Sequence, residues 1–238
     1  MKDKIKAFSI HLLLSVILVL ICLFLVFIVW YPSPLIQATG VGKLFLMMLG
    51  IDLILGPLLT FIIYKKDKKS IKFDLCIIAL IQISALGYGM YSMYKGRPVV
   101  FAYTVDRFEL IRANDVIYDK GEYDFSYFGP KYIFIDLETG TTESKLDMML
   151  TETLGNISPA QQIKYYKPFV GAKDLLQKRS KPVSELSLYN TSTEIQKFLN
   201  DYPTTARWVP LQANAVDMVV LLDQDMQVVK IVDLRPWK

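Results

Sequence analysis

The sequence predicts a membrane protein with three transmembrane α-helices, followed by an α+β domain on the far side of the membrane. Three apolar segments, at about residues 10–30, 44–64 and 73–94, are each near the roughly 20 residues that a helix needs to cross a ~30 Å hydrocarbon core. The rest of the chain has the composition of a soluble domain. We therefore divide the chain into a three-helix base at residues 1–94 and a domain at residues 95–238.

The lysines set the expected orientation. Eight lysines lie before the first apolar segment or between the second and the third, whereas the opposite ends of the segments carry Lys43, Lys95 and Arg97. Because positive charge is retained in the cytoplasm, we expect the N-terminus inside and the C-terminal domain outside. The first segment is too long for the apolar core of a signal peptide and no small-x-small cleavage site follows it, so we expect it to remain a span.

Composition argues against catalysis and against nucleic-acid binding. His11, which we expect to be a solvated anchor at the membrane interface, is the single histidine, and Cys22 and Cys76 lie in or next to the apolar segments. Residues 95–238 therefore lack the ligands of common zinc sites and the residues of a Ser-His-Asp triad or a Cys-His pair. They carry 18 Lys and Arg against 19 Asp and Glu, which leaves no basic footprint for nucleic acid. We expect no enzyme activity, no cofactor, no metal site and no nucleic-acid partner.

Strands and helices are both predicted in the C-terminal domain. Residues rich in β-formers predict strands at 98–105, 131–137, 216–222 and 227–234, the last two as a hairpin. A helix is predicted around Leu146, Met149 and Leu150, which have helical spacing, and Gly155 is expected to end it. Two further helices are predicted where Ser158 and Thr191 are each followed, three residues later, by the Gln or Glu of a capping box.

Asp52 is the candidate site residue inside the membrane. It lies about eight residues into the second apolar segment, or roughly 12 Å deep at ~1.5 Å per residue. An ionisable group at that depth costs ~2.5–3.5 kcal/mol and must face protein or water. Two interpretations stand: a contact that binds a partner or locks the helices, or a protonated carboxyl bonded to Ser84 or Tyr88 of the third helix. Both place Asp52 at a contact between helices.

Small and helix-breaking residues mark the other candidate contacts. Gly56 and Pro57, one turn beyond Asp52, are expected to loosen the second helix and to free a carbonyl that must find a partner. Ala85 and Gly89 form a small-residue face on the third helix, for packing within the base or for docking a partner's helix. In the C-terminal domain, the aromatic segment around Tyr127 predicts either an exposed binding surface or an ordinary half-buried strand.

An ordered set of short motifs resembles a known family. The motifs are Val-Trp-Tyr-Pro-Ser-Pro-Leu at 29–35, Thr-Gly-Val at 39–41, Leu-Gly-Ile-Asp-Leu-Ile-Leu-Gly-Pro-Leu at 49–58, Lys-Phe-Asp-Leu at 72–75, Gly-Arg-Pro-Val at 96–99, Val-Asp-Arg-Phe-Glu at 105–109 and Asp-Leu-Arg-Pro-Trp at 233–237. They extend over nearly the whole chain. In this order they are similar to the type IV pilin accessory proteins of the TfpX/TfpZ family.

The resemblance implies a bacterial inner-membrane protein with a periplasmic α+β domain, which supports pilin stability and pilus assembly or dynamics. It implies the major type IV pilin as partner, through its transmembrane helix and its periplasmic head, and no catalytic residues. We expect a pilin-specific chaperone that acts before assembly or after retraction, so that loss of Asp52 or of Gly56 and Pro57 lowers pilin abundance. Two alternatives stay open: a membrane-anchored envelope enzyme that acts on glycans through carboxylates, and a membrane sensor subunit.

Overall fold

The computed structural model describes residues 1–66, 68–118, 125–137, 141–155 and 157–237, with only the backbone of residues 143 and 144. The contacts within the chain divide it into two compact units. The first unit contains residues 1–32 and 41–96, and the second contains residues 33–40 and 97–238.

Three long apolar helices build the first unit. The helices of this part of the chain are α1 (Lys2–Phe24), α2 (Leu35–Thr39), α3 (Gly42–Ile63) and α4 (Ile71–Lys95), of which α2 belongs to the second unit. Because α1 continues as a π-helical segment to Trp30, the three spans contain 29, 22 and 25 residues. Each is long and apolar enough to cross a bilayer, and α3 packs against both α1 and α4. The predicted three-span membrane base is confirmed.

A mixed sheet forms the centre of the second unit. Its strands are β1 (Pro98–Tyr103), β2 (Phe108–Arg112), β3 (Lys131–Ile135), β4 (Tyr166–Pro168), β5 (Lys181–Pro182), β6 (Arg207–Gln212), β7 (Met218–Leu222) and β8 (Val228–Val232). The strand order within the described residues is β4-β3-β1-β2-β6-β7-β8, with β5 paired to β6. The β1–β3 and β2–β6 pairs are parallel and the other pairs are antiparallel. With α5 (Thr142–Gly155), α6 (Lys173–Arg179) and α7 (Ser192–Asp201), this is the predicted α+β domain.

Both faces of the sheet are covered, as the central strands show. Successive side chains of a strand point to opposite faces, and in β1 Phe101 and Tyr103 pack into one apolar cluster while Val100 and Ala102 pack into another. All six residues of β1 and all five of β7 are buried. The domain thus has apolar side chains packed on each face of its sheet, without disulfides.

The link between the first two spans is built into the second unit. In α2, Leu35 and Ala38 are buried within the apolar cluster that contains side chains of β1 and β7, and the Ala215 amide donates a 2.9 Å hydrogen bond to the Ala38 carbonyl. Gly40 ends α2 with a φ of 72°, where a Cβ would lie 2.6 Å from Cβ of Ala215. Residues 33–40, which the sequence analysis placed in the base, therefore complete the core of the other unit.

Local capping signals formed as predicted, although one of them does not start an α-helix. Thr191 and Glu194 make the reciprocal capping box at the start of α7. Ser158 and Gln161 also form a capping box, but it encloses a single 3₁₀ turn of three residues, so the prediction of a helix there is wrong. The reason is that Gln162 is extended, with φ −104° and ψ 110°, and forms a parallel β-bridge with Ile117.

Glu109 gives the second unit a pH-dependent stability. The Ser158 hydroxyl donates a 2.7 Å hydrogen bond to Glu109 Oε2, but burial outweighs this bond and raises the pKa of Glu109 above its ordinary value. Because the folded-state pKa exceeds the unfolded one, the contribution to stability is present at low pH and lost as the pH rises through the folded pKa. We expect Glu109→Gln to raise the unfolding midpoint increasingly as the pH rises above about 4, the ordinary pKa of a glutamate, by about 2–4 °C per kcal/mol recovered.

Glu194 is the matched control, because its pKa is shifted in the opposite direction. Hydrogen bonds from the Thr191 hydroxyl and amide lower the pKa of Glu194, so its contribution to stability is present near neutral pH and lost as the pH falls. Glu194→Gln should lower the midpoint at pH 7 and approach wild type in acid. Thermal unfolding of the whole protein in detergent, followed by fluorescence of the fully buried Trp208, measures the midpoints of both variants at each pH. Equal pH profiles for the two variants would contradict the opposite pKa shifts of Glu109 and Glu194.

Candidate functional site

A groove in the first unit is the candidate functional site. It is formed by the N-terminal half of α1, by the end of α3 and by the N-terminal half of α4, and its volume is about 420 Å³. Its walls are apolar, with Ile10 and Leu14 on α1 and Leu75 and Ile83 on α4. Ile10, Leu14 and Ile83 are exposed on helices that span a bilayer. The groove is therefore open to lipid or to another membrane helix.

His11 and Thr60 form the first polar contact of the groove. His11 Nδ1 lies 2.6 Å from Thr60 Oγ1, and Thr60 is 2 % exposed. The prediction of a solvated anchor at His11 is wrong, because the phase of α1 turns this side chain toward α3 rather than toward water. The bond uses one ring nitrogen, and an imidazole has a second one for a further partner.

Gln82 and the backbone of α3 form the second polar contact. The Gln82 side-chain amide donates a 3.0 Å hydrogen bond to the Asp52 carbonyl. This close approach depends on Gly56, where a Cβ would lie 1.9 Å from Gln82 Nε2. Pro57, which is buried inside the continuous α3, has no amide proton for the Leu53 carbonyl. Gly56 thus lets an amide of α4 reach the backbone of α3, at the Asp52 carbonyl and not at the Leu53 carbonyl that Pro57 leaves without its helical donor.

The Asp52 carboxyl does not make the contacts that the sequence suggested. Its Oδ2 is buried and has no hydrogen-bond partner among the described residues. The bond to Ser84 or Tyr88 that one of the two interpretations proposed is not formed, since both residues are exposed and Tyr88 is 75 % exposed. The physical reason is the rotation of α4, whose buried face follows Ile78, Leu86 and Gly89. Asp52 does lie at a helix contact, but through its carbonyl.

Ala85 and Gly89 do not act as one face within the base. Gly89 is buried against α3, where a Cβ would lie 2.1 Å from the sulfur of Met48. Ala85 is exposed and does not line the groove. Tyr127 lies in the other unit and is 60 % exposed. The structure therefore brings Asp52, Gly56 and Gly89 into the α3–α4 packing, buries Pro57 within α3 and leaves Ala85 and Tyr127 on the surface.

A second cavity, of about 250 Å³, lies in the second unit. Its lining includes Asp136, Asp174 and Lys178. Asp136 is held in a 2.8 Å ion pair by Lys167, beside the strand end of β3. Among the residues that the structure describes, no three His, Cys, Asp or Glu side chains are placed to hold a metal ion. The groove, with its polar contacts and membrane setting, is the stronger candidate site.

Comparison with known proteins places this chain among fimbrial proteins. The model of the family "Fimbrial assembly protein FimB" matches residues 1–40. Over 250 aligned residues the chain is 30 % identical to the fimbrial assembly protein of serogroup I from Dichelobacter nodosus. The alignment covers 98 % of this chain and 96 % of that protein. The chain belongs to the fimbrial assembly protein family.

Two more fimbrial assembly proteins of Dichelobacter nodosus are similar to the chain. The serogroup E1 protein is 29 % identical over 249 residues, or 98 % of this chain and 96 % of that protein. The protein of serogroups C1 and C2 is 39 % identical over 117 residues, or 48 % of this chain and 89 % of that protein. No solved structure matches the chain. The resemblance drawn from the sequence is confirmed at the level of fimbrial assembly, and the narrower TfpX/TfpZ assignment stays a prediction.

In this member of the fimbrial assembly protein family, sequence reasoning missed three groove residues. The sequence pattern predicts His11 in water, and it singles out neither Thr60 nor Gln82. The available signal was a polar side chain inside an apolar span, which generally faces protein rather than lipid. Gln82 carries that signal most clearly, because an amide near the middle of α4 has both a donor and an acceptor to satisfy.

Proposed function

We propose that this protein is an inner-membrane accessory protein of type IV fimbria biogenesis, of the TfpX/TfpZ kind. It binds the major pilin and stabilises it as a subunit-specific chaperone, before assembly or after retraction. Family membership supports the fimbrial part of the proposal. The lysines at 2–6 and 65–72 support an N-terminus in the cytoplasm and a C-terminal domain in the periplasm.

The groove between α1 and α4 carries the proposal, and its occupant is the transmembrane helix of the pilin. Because the groove lies within membrane-spanning helices, a protein partner reaches it with a membrane-embedded segment. Lipid tails are as apolar as leucine, so helices associate in a bilayer by close packing and hydrogen bonding. The apolar walls at Leu14 and Ile83 supply the packing surface, and His11 and Gln82 supply hydrogen bonds.

The strength of these contacts suits a temporary holder. A hydrogen bond between helices in a bilayer is worth about 0.6 kcal/mol on average and at most about 1.7 kcal/mol. One or two such bonds from His11 and Gln82, added to the packing, favour a helix that carries a polar side chain at the matching depth. The subunit is released again when it enters or leaves the fimbria. This role needs no catalytic step, in keeping with a C-terminal domain without His or Cys.

A groove-filling substitution tests the proposal. Ala79 lines the groove on α4, and Ala79→Phe should exclude the pilin helix. Overpacking costs about 1–3 kcal/mol, so a complex that depends on the groove should weaken about tenfold or more. We expect lower pilin abundance and fewer surface fimbriae, measured by immunoblot of whole cells and of sheared fimbriae, at an unchanged level of the variant.

Ala85→Phe is the matched control on the same helix. Ala85 is exposed and lies outside the groove, so the same added ring should leave pilin and fimbriae near wild type. A loss confined to Ala85→Phe would move the docking face to the small-residue surface of α4 and overturn the groove. Normal fimbriae in both variants would overturn the membrane-docking part of the proposal.

A further inference from the structure

Helix α5 presents an apolar stripe that the described part of its domain leaves exposed. Leu146, Met149, Leu150 and Leu154 are 56, 65, 48 and 80 % exposed. Their spacing of three or four residues places them along one side of the helix. In α7, by contrast, Ile195 of the corresponding stripe is 9 % exposed and packs with Trp208 of the sheet. An uncovered stripe of this length marks an interaction surface.

The opposite side of α5 is attached to the domain. Met148 is buried, at 6 % exposure, and at 100° per residue it points about 160° away from Leu150. On the flank, Asp147 binds the Lys164 ammonium at 2.6 Å and the Tyr165 hydroxyl at 2.5 Å. The stripe is thus held outward, and its neighbouring carboxylate is already neutralised by a lysine.

A lipid surface is a poor occupant for this stripe. Helices that lie on anionic membranes carry several Lys and Arg on the polar face. Residues 142–155 contain one lysine against three acidic residues. The charge of α5 therefore favours a protein surface.

The leucines make the stripe complementary to itself. Leu146 and Leu154 are each four residues from Leu150, so two antiparallel copies centred on Leu150 place Leu150 opposite Leu150 and Leu146 opposite Leu154. This is the arrangement of a two-fold interface, in which one patch meets the same patch. In this register Asp147 faces Thr153, so no like charges oppose each other, and the helix dipoles run in opposite directions.

We propose that α5 is a self-association helix, through which two copies of this chain pair antiparallel along Leu146, Leu150 and Leu154. A helix of 14 residues is about 21 Å long at ~1.5 Å per residue. Its stripe buries well under the roughly 1,200 Å² of a stable soluble interface. The pairing is therefore weak in solution, and membrane anchoring, which confines both copies to one plane and raises their effective concentration, makes it significant.

Disulfide trapping in membranes tests the pairing. The full-length protein, with Cys22 and Cys76 replaced by alanine, receives one new cysteine and is oxidised in native membranes. Leu150→Cys should give a disulfide-linked dimer at least tenfold faster than Leu188→Cys, a control elsewhere in the domain that is 60 % exposed against 48 % for Leu150. Leu150 lies on the two-fold axis, where the two Cβ atoms come within the ~3.5–4.5 Å that a disulfide requires.

Two further cysteines decide the register. Leu146→Cys and Leu154→Cys should each form little dimer alone but a mixed dimer when both chains are produced in one cell. Efficient trapping of Leu146→Cys alone would show parallel helices and overturn the proposed register. Trapping of Leu150→Cys no faster than of Leu188→Cys, or its trapping to a different protein, would overturn self-association. Unchanged fluorescence unfolding of each variant shows that the domain is folded in these measurements.

Discussion

Replacing Ala38 with aspartate is expected to unfold the second unit, although Ala38 lies between two membrane spans in the sequence. The side chain is fully buried in the core that β1 and β7 share, and an unpaired charge there costs about 3–5 kcal/mol. That is a large part of the roughly 5–15 kcal/mol that stabilises a typical domain. The variant should lose the cooperative unfolding transition that fluorescence of Trp208 reports in detergent.

The neighbouring Gln37 provides the control for this experiment. Gln37 is exposed on the same turn of α2, so Gln37→Asp introduces the same charge without burying it and should unfold at the wild-type midpoint. If Ala38→Asp unfolds cooperatively at the same midpoint as Gln37→Asp, then α2 is not part of the core. Protease resistance of the C-terminal domain in membranes gives an independent reading of the same difference.

Gly56→Val is expected to disrupt the base and the proposed chaperone function together. A Cβ at this position would lie 1.9 Å from Gln82 Nε2 and 2.4 Å from Gln82 Cδ, so the amide must swing away and give up its bond to the Asp52 carbonyl. Because that amide is the end of a flexible side chain, the cost is mainly the lost hydrogen bond, about 0.6 kcal/mol on average and at most about 1.7 kcal/mol in a bilayer. We expect a lower thermal midpoint of the base in detergent and, in cells, less pilin.

Gly50→Val is the control for this substitution. Gly50 lies on the same helix, and a Cβ built there meets no atom within 4 Å. It should leave both the stability of the base and the pilin level unchanged. Equal losses in the two variants would show that valine in α3 is harmful for a general reason, which would contradict a specific role for the Gly56–Gln82 approach.

The features that the sequence predicted correctly depend on nearby residues. Long apolar runs determine the three spans, and the capping box of Thr191 with Glu194 is complete within four residues. Strand β6 was missed because Pro210 interrupts its pattern, and proline has no amide proton for a sheet. The insertion of α2 was missed because its partner, Ala215, is distant in sequence.

The sequence predicted the α3 side of the candidate site but not the α4 side, because the α4 side depends on packing between residues distant in sequence. Asp52, Gly56 and Pro57 stand out as polar or helix-breaking residues in an apolar span, and the structure places Asp52 and Gly56 at the α3–α4 contact. The partners considered for Asp52, Ser84 and Tyr88, are wrong because the rotation of α4 about its axis is set by packing along the whole helix. That rotation turns Gln82 inward and Ser84 and Tyr88 outward. Its one signal in the sequence is the Gln82 amide, which has a donor and an acceptor to satisfy within an apolar span.

Site-specific photo-crosslinking from the groove tests the proposed chaperone function most directly. A photoreactive residue at Leu14 or Ile83, both in the groove walls, should give an adduct with the major pilin in living cells, joined within the pilin's transmembrane helix. The same residue at Ile54, which is 65 % exposed on α3 and outside the groove, should give little or none. No pilin adduct from Leu14 and Ile83, or equal adducts from all three positions, would contradict the groove as the pilin-binding site.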